Sequence, residues 1–134
     1  MPQVYLLVGL TGSGKRTYSR RVLEPAGAVP LSADEMPVAV VSERLVREVR
    51  SGRDVAFDPG RSGTAPGLWR RSDRDAWKER VTALGATWRL LYFPASRAAL
   101  LQRLRVDESE LDELYSGFEE PVDEGEEIVQ PGSY

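Results

Sequence analysis

Gln3-Val4-Tyr5-Leu6-Leu7-Val8 is a short, nearly unbroken apolar run that ends at Gly9. It leaves no alternate face for water, so it predicts a strand buried on both sides, as in a parallel sheet. The next residues, Gly9-Leu10-Thr11-Gly12-Ser13-Gly14-Lys15, place three glycines and a lysine in one tight stretch. The segment from Gly14 through Leu23 then reads as a helix, stopped by Pro25 and Gly27. A buried strand that turns through glycines into a helix is a demanding arrangement, and few folds accommodate it.

The same arrangement has a chemical consequence. A phosphate cluster needs several donors converging in a small space. Backbone N–H groups supply them where glycines let the chain curl tightly and approach closely. The helix adds the positive end of its dipole and its unpaired first-turn N–H groups. Lys15 adds a mobile full charge for the β- and γ-phosphates. Gly9, Gly14 and Lys15 meet the spacing Gly-x-x-x-x-Gly-Lys, so Gly9, Thr11, Gly12, Ser13, Gly14, Lys15, Arg16 and Thr17 are the expected nucleotide-binding set. The expected ligand is a nucleoside triphosphate, ATP.

One position departs from that pattern. A Ser or Thr hydroxyl is expected directly after the lysine, as a Mg²⁺ ligand; here Arg16 stands there and Thr17 follows. Successive helical residues are rotated by about 100°, so Thr17 does not point where the missing hydroxyl would. Three readings stay open. Mg²⁺ is held by carboxylates and water, or Arg16 neutralises phosphate charge where the metal would sit, or the protein binds nucleotide poorly and has lost turnover.

Further strands are predicted at Ala28–Ser32, Asp54–Asp58 and Thr87–Phe93, with a last edge strand at 126–130. Pro30 weakens the second, because proline cannot donate to a ladder. Helices are predicted over 38–49, from Ser72 as N-cap to Gly85, over 96–105 and over 108–115. A loop rich in Gly, Pro, Ser and Thr runs from Pro59 to Gly67. Strands alternating with helices predict an α/β fold: three layers, a mostly parallel sheet and helices on both faces. The 134 residues read as a single domain, 1–134.

Composition narrows the chemistry. The chain has no Cys and no His, which excludes disulfides, thiol catalysis, imidazole bases and His- or Cys-ligated metal. Carboxylates, hydroxyls, Lys, Arg and backbone groups must do any work. The net charge of -3 divides sharply: residues 1–106 carry a balance of +8 and residues 107–134 a balance of -11 with no basic residue. A positive body suits a phosphate-rich ligand, and the acidic segment reads as a solvated surface or, more sharply, as a tail that folds back over basic surface. No aromatic-basic stripe argues for nucleic acid. There is no apolar run near 18 residues for a membrane span and no signal-peptide pattern, so a cytoplasmic protein is expected.

The opening Val8-Gly9-Leu10-Thr11-Gly12-Ser13-Gly14-Lys15-Arg16-Thr17 resembles the phosphate loop of the small P-loop kinases, among them zeta toxin, chloramphenicol phosphotransferase and polynucleotide kinase domains. These are often labelled AAA-type ATP-binding proteins. The likeness continues in order through Leu31-Ser32-Ala33-Asp34-Glu35, through Asp54 to Gly60, through Trp69 to Trp77, through Leu101-Gln102-Arg103-Leu104-Arg105, and through Phe118-Glu119-Glu120-Pro121. Only the phosphate loop is specific alone; the ordered set carries the resemblance.

What the resemblance implies is transfer of the ATP γ-phosphate to a hydroxyl of a small molecule. Lys15, Asp34 and Arg103 become the catalytic candidates. Asp34 is the base for the acceptor hydroxyl, or else a helix N-cap. Asp58 and Thr17 are the candidate Mg²⁺ residues, Asp58 acting through water, or else Asp58 forms a turn before Pro59. Arg74 and Arg103 clamp phosphate oxygens, or else belong to solvated helix faces. Trp69 and Trp77 read as packing residues. Where the family has a longer, Arg-bearing lid, residues 106–117 are short and acidic, and the stretch between Asp34 and Val55 is short as well. Binding with little or no turnover, and slow NTP hydrolysis, are therefore alternative expectations.

Overall fold

A computed structural model describes residues 1–63, 66–130 and 134. Thr64 and Ala65 of the predicted Gly/Pro-rich loop, and residues 131–133 of the acidic segment, lie outside the described residues.

The apolar run forms strand β1 (Gln3–Val8) and is followed by β2 (Val29–Ser32), β3 (Val55–Asp58), β4 (Thr87–Tyr92) and β5 (Glu126–Ile128). They build one five-stranded sheet in the order β2-β3-β1-β4-β5, and every pairing is parallel. β1 lies in the middle, which is why its residues are apolar on both sides. Pro30 is tolerated because β2 is an edge strand that pairs with β3 alone, so its missing N–H costs no ladder bond.

The helices are α1 (Lys15–Tyr18), α2 (Val38–Arg50), α3 (Arg71–Ala83), α4 (Arg97–Leu104) and α5 (Glu108–Tyr115). α1 runs on into a π-helical stretch, Ser19–Leu23, so the predicted helix over 14–23 is one body with two hydrogen-bonding patterns. The two sheet faces have separate cores. Val4, Leu6, Val8, Phe57 and Leu90 pack with Val41 and Leu45 of α2 and Trp77 and Val81 of α3. Leu7, Ala56, Leu91 and Phe93 pack on the other side with Leu23 and Tyr18 of the first helix. A third cluster joins Leu10 of the glycine-rich loop to Trp69, Leu100 and Leu111. That cluster seats α4 and α5 beside the loop.

Local capping explains the later helix starts. Ser96 accepts the N–H of Ala99 at 3.1 Å, and Asp107 accepts that of Glu110 at 2.8 Å. The expectation for α3 is corrected: Arg70, not Ser72, is its N-cap, and Ser72 lies inside the helix. The remote Ser62 hydroxyl accepts the N–H groups of Trp69 and Arg70, both at 3.1 Å, and so orders the chain entering α3.

Candidate nucleotide site

The glycine-rich loop leaves the C-terminal end of the central strand, where open α/β sheets hold ligands. Its glycines are needed for space and for conformation. A Cβ on Gly9 would lie 2.6 Å from Ser13 Oγ and 3.0 Å from the Phe93 carbonyl. Gly14, the N-cap of α1, has φ 98°, in the left-handed region that disfavours any side chain. The Ser13 N–H donates to the Leu10 carbonyl at 3.0 Å and tightens the turn.

The loop opens on a cleft of about 520 Å³. Thr11, Gly12, Gly14, Lys15, Arg16 and Thr17 of the expected nucleotide-binding set line it. Gly9 and Ser13 do not. Gly9 packs against Phe93, and the Ser13 hydroxyl is buried without a hydrogen-bond partner, so both shape the loop from behind. Asp34, Asp58 and Arg103, each from a different part of the chain, join them in the wall.

Lys15 and Asp58 form the floor. Lys15 Nζ lies 3.2 Å from Asp58 Oδ2 and donates to Oδ1 at 3.3 Å. Asp58 Oδ1 also accepts the Gly60 N–H at 3.2 Å. The Gly60 contact is the turn expected of Asp58 before Pro59, while the carboxylate expected to hold Mg²⁺ through water is paired with Lys15. Arg103 projects from α4 and donates from Nη1 to the Gly12 carbonyl at 2.9 Å. Asp34 is exposed in the turn after β2, where its N–H donates to Ser32 Oγ at 3.1 Å. It does not cap a helix: the N-cap of α2 is Pro37.

Arg16 lies on the rim, half exposed, and its guanidinium is paired with Glu35. That hydrogen bond, and then the Glu35 charge, outweigh desolvation and raise the Arg16 pKa further, so the cation is permanent. Arg20, one helical turn on, reaches the same Glu35 oxygen at 3.9 Å.

Two residues of the cleft carry no sequence signal. Arg21 lines it, and Tyr134 lies across the loop. The Tyr134 hydroxyl donates to the Gly14 carbonyl at 3.3 Å, and its ring meets Tyr18 edge to face at 5.2 Å. Arg21 donates to the Tyr134 main-chain oxygen at 3.4 Å. A tyrosine so far along the chain from the loop has no spacing that could announce it.

Arg74, expected to clamp phosphate, is elsewhere and fully buried. Its Nε and Nη2 each donate to Glu124 at 2.8 Å, and Nη1 donates to the Leu68 and Trp69 carbonyls. Burial would push the Glu124 carboxyl up. The Arg74 fork outweighs it and holds the group below the ordinary carboxylate range. Trp77 packs on Phe57 and Trp69 on Phe118, as expected of packing residues.

Arg103 also borders a second cavity, of about 710 Å³, with Tyr92, Pro94, Tyr115, Phe118 and Gln130 in its wall. The Tyr92 hydroxyl donates to Glu120 at 2.9 Å. On the other side of the cleft, a cavity of about 210 Å³ shares Arg16, Asp34 and Asp58 and adds Ser32 and Glu35.

A central parallel strand, a glycine loop with Lys15 and a facing Asp58 sit in an α/β fold with a wholly parallel five-stranded sheet. Solved structures show the same architecture. A gluconokinase from Sinorhizobium meliloti 1021 superposes with a TM-score of 0.67 at 19% identity, over 99% of this chain and 83% of that one. The Mycobacterium tuberculosis APS kinase CysC, solved with AMPPNP and APS, gives 0.63 at 16% identity, over 99% and 90%. The protein APE1195 gives 0.61 at 17% identity, over 99% and 87%. At these identities the likeness is one of fold. No protein-family model and no curated protein sequence matches the chain. Among the described residues no helix is long and apolar enough to cross a membrane.

Proposed function

We propose that the chain binds ATP in the Gly9-to-Lys15 loop and transfers its γ-phosphate to a hydroxyl of a small molecule. The observation that carries this reading is the Lys15–Asp58 pair, 3.2 Å apart on the floor of a cleft that Arg103 closes from α4. The loop amides and Lys15 take the β- and γ-phosphates. Arg103, now resting on the Gly12 carbonyl, is within reach of the same oxygens. The larger cavity beyond Arg103, with its aromatic wall, suits the nucleoside.

The acceptor enters from the other side, beside Asp34. Asp34 is free of strong partners and stands on the wall that the cleft shares with the smaller cavity. The acceptor oxygen attacks the γ-phosphorus in line, its proton passes to Asp34, and ADP leaves. Lys15, Arg103 and Arg16 neutralise the charge that spreads over the phosphoryl oxygens. The fold family implies Mg²⁺, and the donor set here does not fit it. Arg16 replaces the hydroxyl ligand, and both Asp58 oxygens face Lys15. Thr17 reaches the cleft, but from the next helical position. No group of three or more carboxylates gathers to hold a metal among the described residues. The proposed chemistry is therefore written without the ion.

A second reading, nucleotide binding with little turnover, is favoured by one observation: Arg16, directly after Lys15, lines the cleft and is paired with Glu35. Labelled ATP tested against a panel of hydroxyl metabolites separates the two. ADP release that depends on an acceptor supports transfer. Tight binding without release supports a binding protein, and release without any acceptor supports a hydrolase.

A further inference from the structure

We infer that the cleft takes its nucleoside triphosphate free of a divalent cation, with Arg16 serving as the counter-charge that an ion provides elsewhere. The inference rests on the nucleotide-binding reading above and says which form of the nucleotide is bound. Four cationic side chains, Lys15, Arg16, Arg21 and Arg103, line the cleft, against two carboxylates, Asp34 and Asp58. One of those carboxylates is already engaged by Lys15. A dication entering beside Lys15 would share the cleft with the Arg16 cation and find no hydroxyl at the position directly after Lys15, where Arg16 stands. Mg²⁺ gives up its waters reluctantly and demands octahedral geometry, so a cleft lined by four cations, with one of its two carboxylates already engaged, is a poor host.

Arg16 is also arranged to exchange partners. It is half exposed and sits on Glu35, a carboxylate it shares with Arg20. A phosphate chain in the cleft that Arg16 lines offers a denser cluster of oxygens than Glu35, and a guanidinium binds phosphate through a planar fork. Arg20 remains to neutralise Glu35 once Arg16 has moved.

The test is calorimetric titration of the whole chain with ATP, in excess EDTA and in excess Mg²⁺. The expected result is an affinity in EDTA equal to or tighter than that in Mg²⁺. Arg16→Ser should reverse the order, binding about 10-fold more weakly in EDTA than in Mg²⁺, since one charge-assisted contact is worth about a factor of ten. Glu35→Gln, which frees Arg16 without touching the loop, should tighten binding in EDTA. A parent affinity three-fold or more tighter with Mg²⁺ (about 0.7 kcal/mol) overturns the inference and leaves the nucleotide site standing. Failure of the parent to bind ATP in either medium overturns the nucleotide-binding reading, and this inference with it.

Discussion

Lys15 Nζ lies 3.2 Å from Asp58 Oδ2, and both side chains are only 13% exposed. The loop lysine is thus held by the end of the neighbouring strand before any phosphate arrives. Lys15→Ala should weaken ATP binding about 10–100-fold, because one hydrogen bond to a charged group contributes about 1.5–3 kcal/mol. It also leaves Asp58 without its cation, holding only the Gly60 N–H, so thermal stability should fall as well. Calorimetry with ATP checks the first part; unchanged affinity would remove the phosphate loop from the binding site.

Asp34 can be changed with little structural consequence. It is exposed, caps no helix and lies in a turn held by Ser32. Asp34→Asn should leave stability within about 0.5 kcal/mol and ATP affinity unchanged. Transfer to the acceptor should fall about 10²–10⁴-fold, the usual contribution of a positioned base. A variant that loses ATP binding would show that Asp34 supports the loop.

The Arg74–Glu124 pair ties α3 to the segment before β5 and lies away from the cleft. Glu124→Ala leaves the Arg74 guanidinium buried and uncompensated, and should cost about 3–5 kcal/mol. The pH dependence has a definite sign. The Glu124 carboxyl titrates lower in the folded chain than in the unfolded one. Its stabilisation is therefore complete above the unfolded value, near 4.3, and is lost as pH falls through the folded value. Melting temperatures of parent and Glu124→Gln between pH 3 and pH 6 should converge at the acid end. Parallel curves would place the acid sensitivity elsewhere.

Tyr134 lies across Gly14 in the cleft proposed to take the phosphates, through one hydrogen bond to the Gly14 carbonyl and an edge-on contact with Tyr18. Removing a competitor held by one neutral hydrogen bond should strengthen ligand binding about 2–10-fold. Tyr134→Ala is accordingly expected to raise ATP affinity and to leave the melting temperature unchanged. Weaker binding would mean that the ring contacts the nucleotide.

Most elements of this fold are visible as local patterns. The double-sided apolar run of β1 and the i, i+4, i+8 spacing of Val41, Leu45 and Val49 on α2 need no distant partner to be read. Their ends differ from expectation by a residue or two, because ladder pairing and remote capping set them. The start of α3 depends on Ser62, outside the helix altogether. At the cleft, the loop glycines and Lys15 follow from spacing. Arg74 reads like its exposed arginine neighbours until Glu124, 50 residues further on, is brought against it.

The sequence by itself determined that a buried parallel strand ends in a glycine-rich loop running into a helix, and that an arginine stands directly after the loop lysine, where the motif leads one to expect a hydroxyl. Both are properties of adjacent residues, where backbone conformation and side-chain chemistry act over a few ångströms of chain. Only the tertiary structure decided that Asp58 would meet Lys15, that Glu35 would hold Arg16, and that Tyr134 would lie across Gly14. Those contacts depend on the β2-β3-β1 strand order and on how the helices pack, and a strongly distance-dependent interaction between residues remote in the chain leaves no periodic trace in the sequence.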